Sequence, residues 1–393
     1  MRKKVQMVKF ILIEPCNFID YPIGGQLSFA KQMMSAFKNE IALVGYGSEG
    51  DPVGSWFKKD INGICFDYFA ICNPNSKRNK PLIPLRIQNM FWFSFYAQKI
   101  AYFENSKWFI QAPEILIPAI KYNKNNICYM FPGVENPLEK PRYAWGKIFA
   151  SYFNKRFMSS LNQSSILLAC ADKKAIDAMI KRNEGLLKKT NVIQFPTRYD
   201  SSIFYPVHSA LVRDKLKLPK NKTILLTSGR INKVKGWRLI LDAFHCYYAT
   251  NNNSHLIFVG DGEERTLLQD EISKLGLSDC VLITGFQSAP EVAMYLNSAD
   301  IYLVGSENEG WSIAMLEALA CGKPLVSTNI SGATTLINIG KNGYVVDKRN
   351  AVLFASKISA ALSLEDASLV SIDIASQYKL SHLKNEITKV WVI

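Results

Sequence analysis

Short apolar runs alternate with helical patterns through the second half of the chain. Buried strands, each an apolar run that ends at a turn, are predicted at 222–230, 254–262, 280–286, 299–306 and 323–329. Between them lie segments with apolar residues at three- and four-residue spacing, such as 239–249 and 264–276, which predict helices. This alternation is typical of a parallel sheet covered by helices on both faces. In such sheets ligands bind beyond the carboxyl ends of the strands.

The first half of the chain repeats the alternation less regularly. A predicted strand at 8–15 is followed by a loop with Gly24 and Gly25 and then by a helix from Gln26 to Phe37. Further strands are predicted at 41–47, 107–113, 127–133 and 165–171. The stretch 192–206 carries Pro, Asp, Ser and aromatic residues, and we predict the domain hinge there. We therefore expect an α/β protein of two Rossmann-like domains that face each other across a cleft.

Composition narrows the class of protein. The chain has 393 residues, 48% of them hydrophobic and 20% charged, which is typical of a globular protein with two cores. Lys9 and Glu14 interrupt the apolar part of the N-terminal segment, so we interpret it as a basic cap and a buried strand rather than a targeting segment. The eight cysteines show no metal-ligand spacing. We expect reduced thiols in a cytosolic protein, with no disulfide and no structural zinc.

The positive charge is concentrated in one half of the chain. Residues 1–200 contain 28 Lys and Arg against 15 Asp and Glu, whereas residues 201–393 contain 19 against 18. This asymmetry indicates that the first half meets an anionic partner, such as lipid headgroups, a phosphorylated acceptor or nucleic acid. A surface that only improves solubility is the alternative.

The segment 306–326 contains the first candidate binding residues. A predicted strand ends at Ser306, a loop carries Glu309 and Gly310, and a helix begins near Ser312, a suitable N-cap. The free N–H groups at such a helix start can hold a diphosphate. Glu317 follows Glu309 by eight residues, and carboxylates at these positions can accept hydrogen bonds from sugar hydroxyls. Taken alone, the two glutamates could equally be solvated helix residues.

The segment 228–236 contains the second set of candidates. Arg230 and Lys235 follow a predicted strand, and Gly236 opens the next helix. Arginine offers a forked donor and lysine a mobile point charge, a pair suited to a diphosphate leaving group. A basic turn without a binding role is the alternative for this segment by itself.

Together the two segments resemble a known family. Residues from about 222 to 346 resemble the C-terminal, donor-binding domain of retaining glycosyltransferases of family 4 (glycosyl transferases group 1), which have the GT-B fold. The family's G-R-x4-K-G motif is matched at 229–236 and its E-x7-E motif at 309–317. The resemblance implies that Glu309 contacts the transferred sugar and Glu317 the ribose. The remaining donor-binding residues implied are Arg230, Lys235, Gly310, Trp311, Ser312 and Ile313.

The first half resembles the family less closely. Gly24 and Gly25 are similar to the family's glycine loop, where small residues let backbone amides approach phosphate and sugar. Many relatives carry a histidine near 129–133, but this chain has none before His208, and Phe131 lies at or beside that position. A degenerate relative that binds sugar without transferring it therefore remains an alternative.

The resemblance also implies domain roles and a reaction. Residues 1–200 would bind the acceptor, 201–370 the nucleotide sugar, and 371–393 would form a helix that crosses back to the first domain. The implied reaction moves a sugar from a UDP- or GDP-linked donor, with retention and with no metal or other cofactor, to a glycan acceptor. We expect this acceptor to be linked to polyprenyl diphosphate, as in bacterial surface polysaccharide synthesis. Nucleotide-sugar epimerases share the architecture and are the alternative. Nucleic-acid binding is poorly supported, because no recognition module is present.

Two aromatic, basic segments, 86–103 and 142–157, have the composition of helices that lie on an anionic bilayer. The second has Trp145, Ile148, Phe149, Tyr152 and Phe153 at helical spacing. Each helix by itself is more typical of core packing. The charge of the first half shifts the expectation toward a cytosolic enzyme that contacts the inner face of the plasma membrane peripherally.

Overall fold

The computed structural model describes residues 10–21, 25–73, 83–101, 106–133, 146–188 and 191–391. The chain divides into two compact units. Unit 1 comprises Met1–Pro196 and His382–Ile393, and unit 2 comprises Thr197–Ser381. The division falls within the segment 192–206, where the sequence places a hinge.

Unit 1 is built on a mostly parallel sheet of eight strands within the described residues, in the order β3-β4-β2-β1-β5-β6-β7-β8. The strands are β1 (Phe10–Ile13), β2 (Ile41–Tyr46), β3 (Trp56–Ile61), β4 (Ile64–Cys72), β5 (Lys107–Ile110), β6 (Ile127–Phe131), β7 (Ile166–Ala169) and β8 (Val192–Gln194). The helices among them are α1 (Gly25–Phe37), α2 (Leu85–Ile100), α3 (Pro113–Asn123), α4 (Gly146–Gln163) and α5 (Lys173–Arg182). Strands β1, β2 and β6 are buried along their whole length, as covered parallel strands should be.

The edge of this sheet carries an antiparallel hairpin that the apolar pattern does not single out. Strands β3 and β4 pair antiparallel, with Ile61 opposite Ile64. Asn62 and Gly63 form the turn between them, both with positive φ, at 53° and 77°. Asn-Gly is the favoured pair for a two-residue hairpin turn because both positions require positive φ. This dipeptide is the sequence signal that could have predicted the hairpin.

Unit 2 contains a six-stranded parallel sheet in the order β11-β10-β9-β12-β13-β14. Its strands are β9 (Thr223–Ser228), β10 (Ser254–Val259), β11 (Val281–Ile283), β12 (Ile301–Val304), β13 (Leu325–Thr328) and β14 (Gly343–Val346). Its helices are α6 (Ser209–Leu216), α7 (Trp237–Tyr248), α8 (Arg265–Lys274), α9 (Ala289–Ser298), α10 (Ile313–Ala320), α11 (Ala333–Leu336), α12 (Ala351–Leu362) and α13 (Ala367–Ser376). The strand order reverses direction between the neighbours β9 and β12, so the loops after these two strands flank the topological switch point.

The C-terminal segment differs from the single helix expected at 371–393. Helix α13 belongs to unit 2 and ends at Ser376, and a separate helix, α14 (Leu383–Val390), belongs to unit 1. Between them the chain pairs with Tyr199, whose N–H donates to the carbonyl of Tyr378 at 3.1 Å. After α14, the ring of Trp391 packs edge-on against Phe10, with 5.3 Å between ring centroids. The segment is therefore divided between the two units.

Candidate functional site

The loops after β9 and β12, residues 229–236 and 305–312, are held together by their backbones. The N–H of Glu307 donates to the carbonyl oxygen of Val234 at 2.8 Å. Gly236 has φ +70°, and a Cβ built on it would lie 1.8 Å from the carbonyl oxygen of Gly305. Only glycine allows this approach, because any side chain at 236 would collide with the neighbouring backbone. The two motifs found in the sequence thus meet at the switch point.

This contact brings Lys235 and Glu309 together. Lys235 Nζ lies 2.6 Å from Glu309 Oε1, and the Oγ of Ser306 donates to the same oxygen at 2.8 Å. The Glu309 side chain is 12% exposed and that of Lys235 is 40% exposed. The side chain of Asn232 fixes the start of the lysine's 3₁₀ turn by accepting the N–H of Lys235 at 3.0 Å. A partly buried carboxylate with two donors is held in one position, while the more exposed lysine can exchange partners.

Lys235, Ser306 and Glu309 line a pocket that opens to solvent. It lies within unit 2, and its walls include Gly229, Arg230, Lys235, Glu309 and Ser312. The floor is formed by the ends of β9 and β12 with Trp237 and Tyr302. Arg230 is exposed at the mouth, so its guanidinium is available to a ligand.

Helix α10 begins at this pocket. Ser312 is buried at the N-cap position, as predicted, but its side chain makes no capping hydrogen bond within the described residues. Ser312 and Ala314 line the pocket, so the first turn of α10 faces it. The N–H groups of a first helical turn attract anions.

Gly310, Trp311 and Ile313, also predicted as donor-binding residues, do not line the pocket. Trp311 is buried against Gly332 and Tyr378, and its ring centroid lies 5.7 Å from that of Tyr378. Gly310 and Ile313 are half-buried. The Trp311 side chain packs beneath the loop and does not line the pocket.

Glu317 lies in the second turn of α10. Its side chain is half-buried and does not line the pocket itself. Burial raises the pKa of its carboxyl group to about 8. This glutamate therefore holds its proton to a higher pH than a solvent-exposed carboxyl group does. Hydroxyl groups that donate to it would favour its ionised form.

The other predicted site residues belong to the first half of the chain. Gly24 lies outside the described residues, and Gly25 is the first residue of α1 in unit 1. Phe131 ends β6 and is buried against Tyr129 and Phe157, with ring centroids 5.0 and 6.1 Å away. Phe131 is therefore part of the apolar core of unit 1.

Arg349 is a site-supporting residue that the sequence patterns did not indicate. Its Nη1 donates to the carbonyl oxygens of Gly305 and Ser306 at 2.7 and 3.0 Å. Its other Nη lies 2.9 Å from a Cβ built on Gly236. The guanidinium thus ties the loop after β14 to the 305–312 loop and lies beside Gly236 of the other motif loop. In the sequence Arg349 is a lone arginine shortly after the apolar run 344–346, and it becomes informative only when the loops are seen together.

The described residues contain no group of three His, Cys, Asp or Glu side chains placed as metal ligands would be. No helix in the described ranges combines the length and hydrophobicity needed to cross a bilayer.

Comparisons with known proteins show what the sequence and the fold resemble. Residues 209–376 match the family Glycosyl transferases group 1. D-inositol 3-phosphate glycosyltransferase of Thermobispora bispora is 31% identical over 174 residues, 42% of this chain and 41% of that protein. The amylovoran biosynthesis glycosyltransferase AmsK of Erwinia amylovora is 29% identical over 175 residues, 43% of this chain and 42% of that protein. The chain thus aligns with less than half the length of these two relatives.

The fold matches over nearly the whole chain. Anabaena HepE, solved in complex with UDP and glucose, superposes with a TM-score of 0.71 at 16% identity, over 97% of this chain and 98% of HepE. At this identity the likeness concerns the fold alone. Residues 209–376 belong to the glycosyl transferases group 1 family, and the chain has the GT-B fold.

Proposed function

We propose that this protein is a retaining glycosyltransferase that moves a sugar from a nucleotide-diphosphate sugar to a glycan acceptor. The contact between Lys235 and Glu309 inside the unit 2 pocket carries this proposal. It joins a cation suited to a diphosphate and a carboxylate suited to sugar hydroxyls. The first turn of α10 and the exposed Arg230 add further attraction for the diphosphate.

The ion pair has a direct consequence for donor binding. Lys235 is paired with Glu309, whose oxygen also accepts a hydrogen bond from Ser306. An incoming diphosphate competes for the lysine, and Glu309 is then released to accept hydrogen bonds from the sugar. Binding of the nucleotide and engagement of the sugar are thereby coupled through one side chain.

In the proposed reaction the bond between the anomeric carbon and the diphosphate oxygen breaks as the acceptor oxygen attacks the same face. The acceptor proton passes to the departing phosphate oxygen. Arg230 and Lys235 stabilise the negative charge that grows on the diphosphate. Since these two cations can neutralise the leaving group, we expect transfer to be unchanged by EDTA.

Titration calorimetry with UDP and GDP tests the lysine's role. We expect Lys235→Met to weaken binding of the preferred diphosphate at least ~10-fold, because a charge-assisted contact is lost and Glu309 is left unpaired. Lys233→Met is the matched control, since Lys233 is an exposed lysine of the same loop. We expect that control to change binding less than ~2-fold. Equal losses in both variants would show that only the general charge of the loop matters.

Glu309→Gln separates sugar recognition from diphosphate binding. Without the carboxylate, Lys235 is free for the diphosphate, so binding of UDP or GDP should be maintained or tightened. Transfer of the sugar should fall at least ~100-fold, because the contact to the sugar is lost. Weakened diphosphate binding by this variant would contradict the assigned roles.

NMR of the product distinguishes the alternatives. A product with the donor's anomeric configuration supports retaining transfer. An epimerised sugar with no transferred product identifies an epimerase. Tight donor binding with no turnover on any acceptor identifies a sugar-binding relative without activity.

We further propose a lipid-linked acceptor in bacterial surface polysaccharide synthesis, at the inner face of the plasma membrane. The relative AmsK is named for amylovoran biosynthesis, and the excess positive charge of residues 1–200 suits an acceptor that carries diphosphate. Radiolabelled sugar transferred to membrane lipid extracts, and absent from water-soluble glycans, is the expected result. Transfer only to soluble glycans would exclude this acceptor.

A further inference from the structure

Helix α2 of unit 1 is apolar on two opposite faces. One face packs into the core through Phe93, Ala97 and Ile100, which are fully buried. The opposite side carries large apolar residues that remain exposed. These are Ile83 at 55%, Ile87 at 41%, Phe91 at 61% and Phe95 at 68% exposure, which together form the α2 outer face.

The residues of the α2 outer face follow one another at four-residue intervals. Residues four apart lie on the same side of a helix, so the spacing makes one continuous stripe from the turn before α2 to its last third. The half-buried Trp92 and Tyr96 border the stripe, and their rings contact Phe91 and Phe95 with centroids 5.4 and 4.9 Å apart. Scattered exposed apolar residues are ordinary, but an aligned aromatic stripe indicates an interaction surface.

Charge indicates what covers this face. From Tyr68 to Phe103 the sequence contains five Lys and Arg and no Asp or Glu. Within the helix, Arg86 and Lys99 are exposed near the two ends of the stripe. An apolar stripe between basic residues, with tryptophan and tyrosine at its border, matches the interface of an anionic bilayer.

Helix α4, the other aromatic segment singled out by the sequence, does not offer such a face in its described part. Phe157 is buried and Phe153 packs against the core, while Tyr152 alone of these aromatics is largely exposed. Trp145 and the side chains of Ile148 and Phe149 lie outside the described residues. The described aromatics of α4 therefore serve mainly to cover the sheet of unit 1.

We propose that the α2 outer face docks the protein on an anionic lipid surface, with Phe91 and Phe95 inserted among the headgroups. This inference deepens the proposed function, because it names the surface that would bring the enzyme to a lipid-linked acceptor. The docking itself does not depend on donor chemistry in unit 2, so the two can fail separately.

Vesicle flotation of the full chain tests the docking. We expect binding to vesicles of phosphatidylcholine with phosphatidylglycerol, much weaker binding to phosphatidylcholine alone, and loss of binding as salt is raised. Phe91→Ser with Phe95→Ser should weaken binding at least ~10-fold, because two apolar side chains no longer leave water. The matched control is Val352→Ser with Leu369→Ser, which removes two unit 2 side chains of similar exposure, 67% and 66%. It should bind as the parent protein does.

Two further measurements make the outcome decisive. Thermal unfolding and UDP or GDP binding of the Phe91/Phe95 variant should match those of the parent protein, which shows that the fold and the donor site are intact. Light scattering then reports the oligomeric state. Undiminished flotation of this variant, or no flotation of the parent at low salt, overturns the proposal. A parent dimer that the two substitutions dissociate would assign the face to a second copy of this chain instead.

Discussion

Replacing Gly236 with alanine tests the contact that assembles the site. The residue has φ +70°, and its Cβ would lie 1.8 Å from the carbonyl oxygen and 2.5 Å from the carbonyl carbon of Gly305. Both obstructing atoms are backbone, so no side chain can rotate away to make room. The 229–236 and 305–312 loops must therefore separate to admit the methyl group.

The free energy of unfolding that Gly236→Ala is expected to lose has two parts. A left-handed conformation costs a non-glycine residue about 1–2 kcal/mol. Forcing a methyl group into a packed contact costs about 1–3 kcal/mol more. The sum of about 2–5 kcal/mol corresponds to a fall in Tm of about 4–20 °C for a unit of this size.

Gly276→Ala separates the two parts. Gly276 also lies in unit 2 and has φ +67°, but no atom lies within 4 Å of its built Cβ. This control should lose only the conformational part, about 1–2 kcal/mol. Differential scanning calorimetry of both variants then isolates the cost of the contact with Gly305.

Binding of UDP or GDP should also differ between Gly236→Ala and Gly276→Ala. Separation of the loops removes Lys235 from Glu309, so Gly236→Ala should weaken UDP or GDP binding at least ~10-fold. Gly276→Ala should leave that binding unchanged. If the two variants lose equal stability and bind equally well, the close approach of Gly236 to Gly305 is not what requires glycine at 236.

Three further predictions rest on single side chains. Glu317→Gln should have about the Tm of the parent below about pH 4.5 and should exceed it by a margin that grows up to about pH 8 and then levels off. The reason is that the unfolded chain gives up the carboxyl proton above about pH 4.5 while the folded protein holds it to about pH 8, and glutamine does not titrate. A pH-independent difference in Tm would contradict this. Arg349→Met removes the donor to the carbonyl oxygens of Gly305 and Ser306 and should lower the rate of sugar transfer ~10-fold. Arg349→Lys should recover part of that rate. Kinetics at saturating and at limiting donor concentrations would show whether KM or kcat changes. Arg213 is buried and donates hydrogen bonds to Asp300 and to three backbone carbonyl oxygens. Arg213→Met should therefore lower the free energy of unfolding, measured by urea titration, by about 3–5 kcal/mol. A loss under about 1 kcal/mol would refute its structural role.

Much of unit 2 could be predicted from the sequence. Each strand expected there is present, because apolar runs between turns have few other stable arrangements. The motif residues Lys235 and Glu309 could be singled out because their chemical types and spacing are visible in the chain. The antiparallel hairpin at the edge of unit 1 was not predicted, although Asn62-Gly63 marks it.

The aromatic segments show a limit of sequence patterns. Helices α2 and α4 both carry aromatic and basic residues at helical spacing, and their composition does not distinguish them. In the structure Phe157 of α4 is buried, whereas Phe91 and Phe95 of α2 are exposed. Which face of a helix meets the core depends on the elements that pack against it, and those lie far away in the sequence.

The sequence by itself determined the two α/β units, the residue types of the candidate donor site and the excess of charge in the first half, because each of these is a property of local order along the chain. Only the tertiary structure decided that Lys235 is paired with Glu309, that Arg349 donates to the 305–312 loop and that Phe131 lies in the core. The first two depend on the loops that follow β9, β12 and β14 meeting at one edge of the unit 2 sheet, and the third depends on α4 packing against β6 in unit 1. Contacts between residues about 45 to 115 positions apart follow from strand order and burial, which no local pattern specifies.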